Sequence, residues 1–173
     1  MAAPDKIRIP YEDFEYGRFT NVGRSSSGQQ FMTFVTGAEP QDWLTGKYPP
    51  EYLQANWARH KRWYAVLHLF DSEGNHLKTE VWSGGTTHDG QDEACNRADQ
   101  QLRKMLDSLG EVRLCDIDVK TFGVEIDGYF FGLVYKMNSY DDPADPDGTY
   151  ECVMLELNDI MFHPPWDSCE YST

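Results

Sequence analysis

The most regular pattern in the chain is a stripe of apolar residues between positions 91 and 109. Its members recur every three or four residues, at Ala94, Ala98, Leu102, Met105 and Leu109. Side chains at that spacing share one face of an α-helix. Asp89 precedes the stripe as a candidate N-cap, and Gly110 follows it where a helix commonly ends. The pattern therefore predicts a long amphipathic helix over about residues 91–109.

A second, shorter helix is predicted near residues 50–60. Prolines at positions 49 and 50 open this segment, and proline is tolerated in the first turn of a helix. Leu53, Trp57 and His60 then recur at helical spacing. The chain's one basic cluster lies at the end of the segment: Arg59, Lys61 and Arg62. Cations at that position stabilise a helix through its dipole, and we favour this interpretation of the cluster.

Elsewhere the apolar residues form the short runs and alternations that are typical of β-strands. Strands are predicted over residues 31–36, 63–70, 77–82, 112–119, 122–126, 129–135, 150–157 and 160–162. Residues 71–75 form a turn between two of these strands, which predicts one hairpin. Asp127-Gly128 is a strong turn sequence and predicts a second hairpin.

This order of elements predicts one α+β domain over residues 1–173. We expect a mainly antiparallel sheet of hairpins, with the long helix packed on one face. Residues 1–30 show the weakest pattern and are expected to be loosely organised, apart from a short edge strand at Ile7 and Ile9. A chain of 173 residues can bury a core without disulfide bonds.

The net charge of −14 argues against nucleic-acid binding, because affinity for DNA comes mainly from Lys and Arg. The charge is uneven, since residues 137–173 contain nine acidic residues and neither Lys nor Arg. Four aspartates crowd one loop of this segment: Asp141, Asp142, Asp145 and Asp147. We predict that this loop binds a basic protein partner. The competing interpretation is a solvated face that promotes solubility.

The cysteines and the N-terminus favour a cytoplasmic protein. Four cysteines, at 95, 115, 152 and 169, form no CxxC pair and do not fit a dense disulfide scaffold. The first residues lack the pattern of a secretion signal, and no apolar run approaches the length of a membrane span. We expect a cytoplasmic location and no contact with a membrane.

The sequence carries no catalytic signature, neither GxSxG nor SxxK. The histidines show no metal-binding spacing, and His68 is expected to be a hydrogen-bonded core residue. The acidic loop matches a calcium-binding loop only in part, because Pro143 and Met154 stand where side-chain ligands are needed. These observations favour a protein that is not an enzyme and that uses no metal or cofactor.

The second hypothesis is a small-molecule-binding protein or enzyme. Aromatic residues that could line its pocket lie on the predicted strands: Trp63, Tyr64, Trp82, Tyr129 and Phe131. Core packing is the competing use of the same residues.

Three blocks of sequence resemble a bacterial family described as formate hydrogenlyase regulatory proteins, HycA-like. The blocks are Lys61–His68 with the following turn, Val124–Gly128 with Phe131–Val134, and Phe162–Asp167. The resemblance implies a regulator of hydrogenase gene expression. Together with the charge, it favours regulation through a protein partner. We therefore predict a non-catalytic protein-binding module, regulatory or immunity-like, that acts through an acidic surface.

Overall fold

The computed structural model describes residues 3–15, 17–39, 45–139, 144, 147–164 and 166. In chain order the elements are β1 (Ile7–Ile9), β2 (Val22–Ser25), β3 (Gln30–Ala38), α1 (Pro50–His60), β4 (Arg62–Phe70), β5 (His76–Thr86), α2 (Gln91–Ser108), β6 (Val112–Leu114), β7 (Ile117–Val119), β8 (Phe122–Ile126), β9 (Tyr129–Ser139), β10 (Thr149–Glu156) and β11 (Ile160–Phe162). The predicted α+β fold is confirmed.

The described strands pair only in the antiparallel sense and form three groups. A five-stranded sheet has the order β5-β4-β3-β2-β6, and a four-stranded sheet has the order β11-β10-β9-β8. Strands β1 and β7 make a separate pair. The two larger sheets pack face to face, while α2 covers the opposite face of the five-stranded sheet.

The long helix is confirmed over Gln91–Ser108, with its predicted apolar stripe turned to the sheet. Its N-cap is Gly90 rather than Asp89, because a 3-10 turn over Thr87–Asp89 comes first and the chain turns into the helix one residue later. Gly110 has the positive φ of 76° that suits a residue ending a helix. No helix among the described residues is long and apolar enough to cross a membrane.

The two predicted hairpins are present. At the second turn, φ is 54° for Asp127 and 75° for Gly128. Two consecutive positive φ values define the turn that best fits the twist of paired strands, and Asp-Gly adopts them readily. Strands β8 and β9 pair directly across it, from Ile126 opposite Tyr129 to Phe122 opposite Leu133.

Two expectations about the strands need correction. The single strand predicted over residues 112–119 is divided: β6 pairs with β2, whereas β7 pairs with β1. The start of the chain is also better organised than expected, since β1 and β2 lie within it and Ile7 and Ile9 are fully buried. Strand β1 pairs with β7, more than a hundred residues away, so local sequence patterns could not reveal this pairing.

Helix α1 is confirmed over Pro50–His60 but is only lightly packed. Of its predicted stripe, only Leu53 is buried, and Trp57 is 40% exposed. The backbone departs from helical angles at Asn56, between these two residues.

Candidate functional site

The predicted acidic loop connects the paired ends of β9 and β10. Asp141, Asp142 and Asp145 lie outside the described residues, whereas Asp147 is described and exposed. The two strands pair as far as Ser139 opposite Thr149, so Asp147 lies two residues from the end of the ladder.

The same hairpin exposes two large apolar side chains near that end. Tyr135 is 46% exposed and Met137 is 55% exposed. By strand alternation they lie on the side of β9 that carries the buried Leu133, but beyond the part that the facing sheet covers. Glu151 pairs with Met137 across the ladder, and a hydrogen bond with its carboxylate raises the pKa of the Tyr135 hydroxyl. We call Tyr135, Met137, Asp147 and Glu151 the hairpin tip.

The five aromatic residues proposed for a pocket do not converge on one. Three of them, Tyr64, Tyr129 and Phe131, are buried between the sheets, with edge-to-face rings at centroid distances of 5.8 and 6.1 Å. Trp63 donates a hydrogen bond from Nε1 to Thr87 Oγ1 at 3.0 Å, and Trp82 is 36% exposed. Packing accounts for the three buried rings.

A cleft with one aromatic residue in its lining, Tyr48, occurs elsewhere, beside α1. It has a volume of about 860 Å³, and its lining includes Tyr48, Pro49, Pro50 and Leu53. The Tyr48 ring stacks on Tyr52 at a centroid distance of 4.7 Å. We call this the α1 cleft. No periodic pattern in the sequence predicted this cleft, because its lining comes from the loop over residues 46–49 and from the first turn of a short helix.

A buried polar cluster joins β4 to β5. His68 is fully buried, and its Nδ1 lies 2.8 Å from Thr79 Oγ1, which is itself 2.7 Å from His76 Nε2. The His76 ring stacks on Phe122 at 4.4 Å. Burial lowers the pKa of His68 to about 3, so the imidazole is neutral at physiological pH. The expectation of a hydrogen-bonded core histidine is confirmed.

A more polar cleft lies where β3 ends beside the turn from β10 to β11. Its volume is about 520 Å³, and it is lined by Arg18, Val35, Thr36, Gly37, Asn158, Asp159, Ile160 and Met161. We call it the Arg18 cleft. The side-chain oxygen of Asn158 is inaccessible to water and has no hydrogen-bond partner among the described residues.

The loop that carries Arg18 is held on both sides. The Glu12 carboxylate accepts a hydrogen bond from the Arg18 backbone N–H, and another from the Phe19 N–H at 3.4 Å. The Phe19 ring is buried and stacks on Phe162 of β11 at 6.0 Å. Arg18 and Asn158 are 140 positions apart, so no sequence motif could associate them.

Comparison with known proteins finds no matching family model, no matching curated protein and no matching solved structure. The relation to formate hydrogenlyase regulatory proteins therefore stays a prediction.

Proposed function

We propose that the chain is a non-catalytic protein-binding module that recognises a basic partner through the hairpin tip and the acidic loop. The carrying observation is the exposure of Tyr135 and Met137 beside the acidic end of the β9–β10 hairpin. Tyrosine and methionine are enriched at protein interfaces, where they supply apolar contact area. Neither side chain contributes to the core clusters in its present position.

Charge supplies the second part of the recognition. Asp147 and Glu151 belong to a 37-residue segment, residues 137–173, with nine acidic residues and no basic ones. Such a surface speeds the encounter with a cationic partner and disfavours anionic ones. Prolines at positions 143 and 146 restrict the loop and reduce the conformational entropy lost on binding.

The resemblance to hydrogenlyase regulators supports a regulatory role for this interaction. A net charge of −14 favours a protein as the regulated target rather than DNA. In a gel-shift titration with genomic fragments at physiological salt, we expect no sequence-dependent binding by the protein alone. Nanomolar, sequence-specific binding would contradict this part of the proposal.

The decisive experiment uses a partner identified by affinity purification from the native host and then purified. Replacing Asp141, Asp142, Asp145 and Asp147 with Asn is expected to slow association and weaken its salt dependence, with thermal stability equal or higher. In a separate variant, Tyr135→Ser with Met137→Ser is expected to raise the Kd about tenfold or more, because it removes the apolar anchors.

Matched controls separate the hairpin from general effects of charge and hydrophobicity. One control neutralises four exposed acids elsewhere, Asp13, Glu15, Asp107 and Glu111. The other replaces Leu77 and Leu114, which are 51% and 38% exposed, with Ser. If the hairpin variants bind the partner as tightly as the wild type does, or lose no more affinity than these controls, the proposal is wrong.

The α1 cleft supports a second candidate function, binding of an apolar small molecule. Its volume of about 860 Å³ lies within the usual range for ligand sites, and its lining includes the Tyr48 ring, two prolines and Leu53. A fragment screen by ligand-observed NMR tests this function. Binding that is lost in Tyr48→Ala and retained in Tyr135→Ser would support this function. It would be contradicted if no fragment bound, or if every fragment bound Tyr48→Ala as well as the wild type.

A further inference from the structure

A smaller cleft lies where the turn from β2 to β3 meets the edge strand β6. Its volume is about 340 Å³, and its lining includes Arg24, Ser25, Ser26, Glu111 and Arg113. The Ser26 backbone N–H donates to the Glu111 carbonyl oxygen at 3.1 Å, so the turn is tied to the residue that precedes β6. We call this the arginine cleft.

Two like charges stand opposite each other in the arginine cleft. Arg24 of β2 pairs directly with Arg113 of β6. Directly opposite residues of antiparallel strands carry their side chains on the same side of the sheet, with Cβ atoms about 5 Å apart, and like charges there are destabilising. Within the part of the chain that the structure describes, neither arginine makes an ion pair. The fold therefore holds an uncompensated pair of cations, although acidic residues outnumber basic ones by 29 to 15.

The polar groups of the cleft are mainly hydrogen-bond donors. A guanidinium group has five N–H donors and no acceptor, and its planar fork suits an oxyanion. Ser26 is exposed and adds a hydroxyl group. Glu111 is the one acidic residue of the lining, so the formal charge of the cleft is 2 − 1 = +1. This combination favours an anion that accepts hydrogen bonds from several directions.

We propose that the arginine cleft binds a phosphate group, as inorganic phosphate or as a small phosphate monoester. A tetrahedral dianion offers separate oxygens to the two guanidinium groups and to the Ser26 hydroxyl, and its charge cancels their mutual repulsion. A carboxylate has only two oxygens in one plane and a single charge, so it bridges the two arginines less well. The volume of about 340 Å³ lies at the lower end of the range for small-molecule sites, which favours a small phosphorylated compound.

The test is an NMR titration of the isotope-labelled full chain at constant ionic strength, first with inorganic phosphate and then with free phosphoserine. We expect saturable shifts of the amide signals of residues 25–28 and 111–113, with a Kd of about 1 mM or tighter for at least one of the two compounds. Tighter binding of phosphoserine would assign the site to monoesters, and tighter binding of phosphate would assign it to the free ion. Acetate should bind about tenfold more weakly or worse. A weaker Kd for both phosphates, or equal binding of acetate, would overturn the proposal.

Three variants locate the site. Arg24→Met and Arg113→Met are each expected to weaken binding about tenfold or more, with thermal stability in the absence of phosphate equal or higher because the repulsion is removed. Glu111→Gln should bind phosphate more tightly, a gain that damage to the fold would not produce. Arg18→Met is the matched control, since Arg18 is an exposed arginine outside this cleft. Unchanged affinity in folded Arg24→Met and Arg113→Met, an equal loss in Arg18→Met, or weaker binding in Glu111→Gln would refute the assignment.

Discussion

The two faces of the five-stranded sheet are built differently. Toward α2, the core residues Phe31, Ala65 and Leu67 meet the apolar stripe of the helix. Toward the four-stranded sheet, β4 presents Tyr64, Val66, His68 and Phe70, so two of its four inward side chains carry a polar group. Tyr64 is hydrogen-bonded to Asp127, and His68 Nδ1 to Thr79, whereas His68 Nε2 is buried without a hydrogen-bond partner among the described residues.

On β4, this difference shows which side of the sheet accommodates polar side chains. A helix packs through a narrow stripe, where a polar atom finds few partners because the helix uses its own backbone groups. Between two sheets, neighbouring strands and turns bring side-chain hydroxyls and carboxylates within reach. The helix face should therefore respond to changes in volume, and the sheet face should respond also to changes in protonation.

The largest expected effect is on the helix face. Leu102→Ala should lower the free energy of unfolding by about 2–5 kcal/mol, because Leu102 is 4% exposed and its removal leaves a cavity. The exposed neighbour provides the control: Gln100→Ala should change stability by less than about 0.5 kcal/mol. Urea unfolding measures both. Equal effects of the two substitutions would mean that the stripe does not hold the helix.

The close approach of β5 to α2 predicts the next effect. A Cβ added at Gly84 would lie 2.7 Å from the Ala94 carbonyl oxygen and 3.2 Å from the Ala98 Cβ. Gly84→Ala must therefore push the helix outward, at a cost of about 1–3 kcal/mol. Urea unfolding and a crystal structure of the variant test this. An unchanged unfolding midpoint would show that the helix tolerates the displacement without loss.

The sequence predicted the helix face better than the sheet face for a physical reason. The stripe from Ala94 to Met105 is local and repeats over several turns, so it identifies its own buried side. The Asp127-Gly128 turn is local in the same way. The division of residues 112–119 into β6 and β7 depends instead on distant partners, and no local pattern encodes that choice.

The candidate sites were predictable to a smaller extent. The acidic loop is visible in the sequence as four close aspartates, of which the structure describes only Asp147. The exposure of Tyr135 and Met137 was not predictable, because strand alternation places them on the buried side with Leu133. Only the extent of the opposite sheet, a property of the assembled fold, leaves them uncovered.

The buried histidine predicts a pH effect on the sheet face. The pKa of His68 is lowered to about 3 when folded, chiefly by burial and then by repulsion from His76, against an ordinary value of 6.5. Between these values the unfolded chain binds a proton that the folded protein does not. Stability from this group is therefore complete above pH 6.5 and is lost as the pH falls toward 3, by about 1.4 kcal/mol per unit.

Comparison with His68→Leu isolates that contribution from the titration of carboxylates. From pH 6.5 to pH 5, the wild type should lose about 2 kcal/mol more than the variant in urea unfolding. The exposed His88 is the control, and His88→Leu should retain the wild-type dependence. Parallel pH profiles for the wild type and His68→Leu would show that the buried imidazole is protonated without penalty.

The smallest predicted effect concerns the hydrogen bond that ties β4 to the β8–β9 turn. Tyr64 donates from its hydroxyl to Asp127 Oδ2 at 2.6 Å, and Arg62 Nη1 lies 3.6 Å from the same oxygen. Burial, followed by this hydrogen bond, raises the pKa of Tyr64, so the hydroxyl stays protonated and remains a donor. Tyr64→Phe keeps the ring and removes the bond, which should lower the free energy of unfolding by about 1 kcal/mol. Asp127→Asn retains an acceptor and tolerates the positive φ, so it should cost less than Tyr64→Phe if the hydrogen bond matters more than the charge. A larger loss in Asp127→Asn, measured by urea unfolding, would instead assign the stabilisation to the ion pair with Arg62.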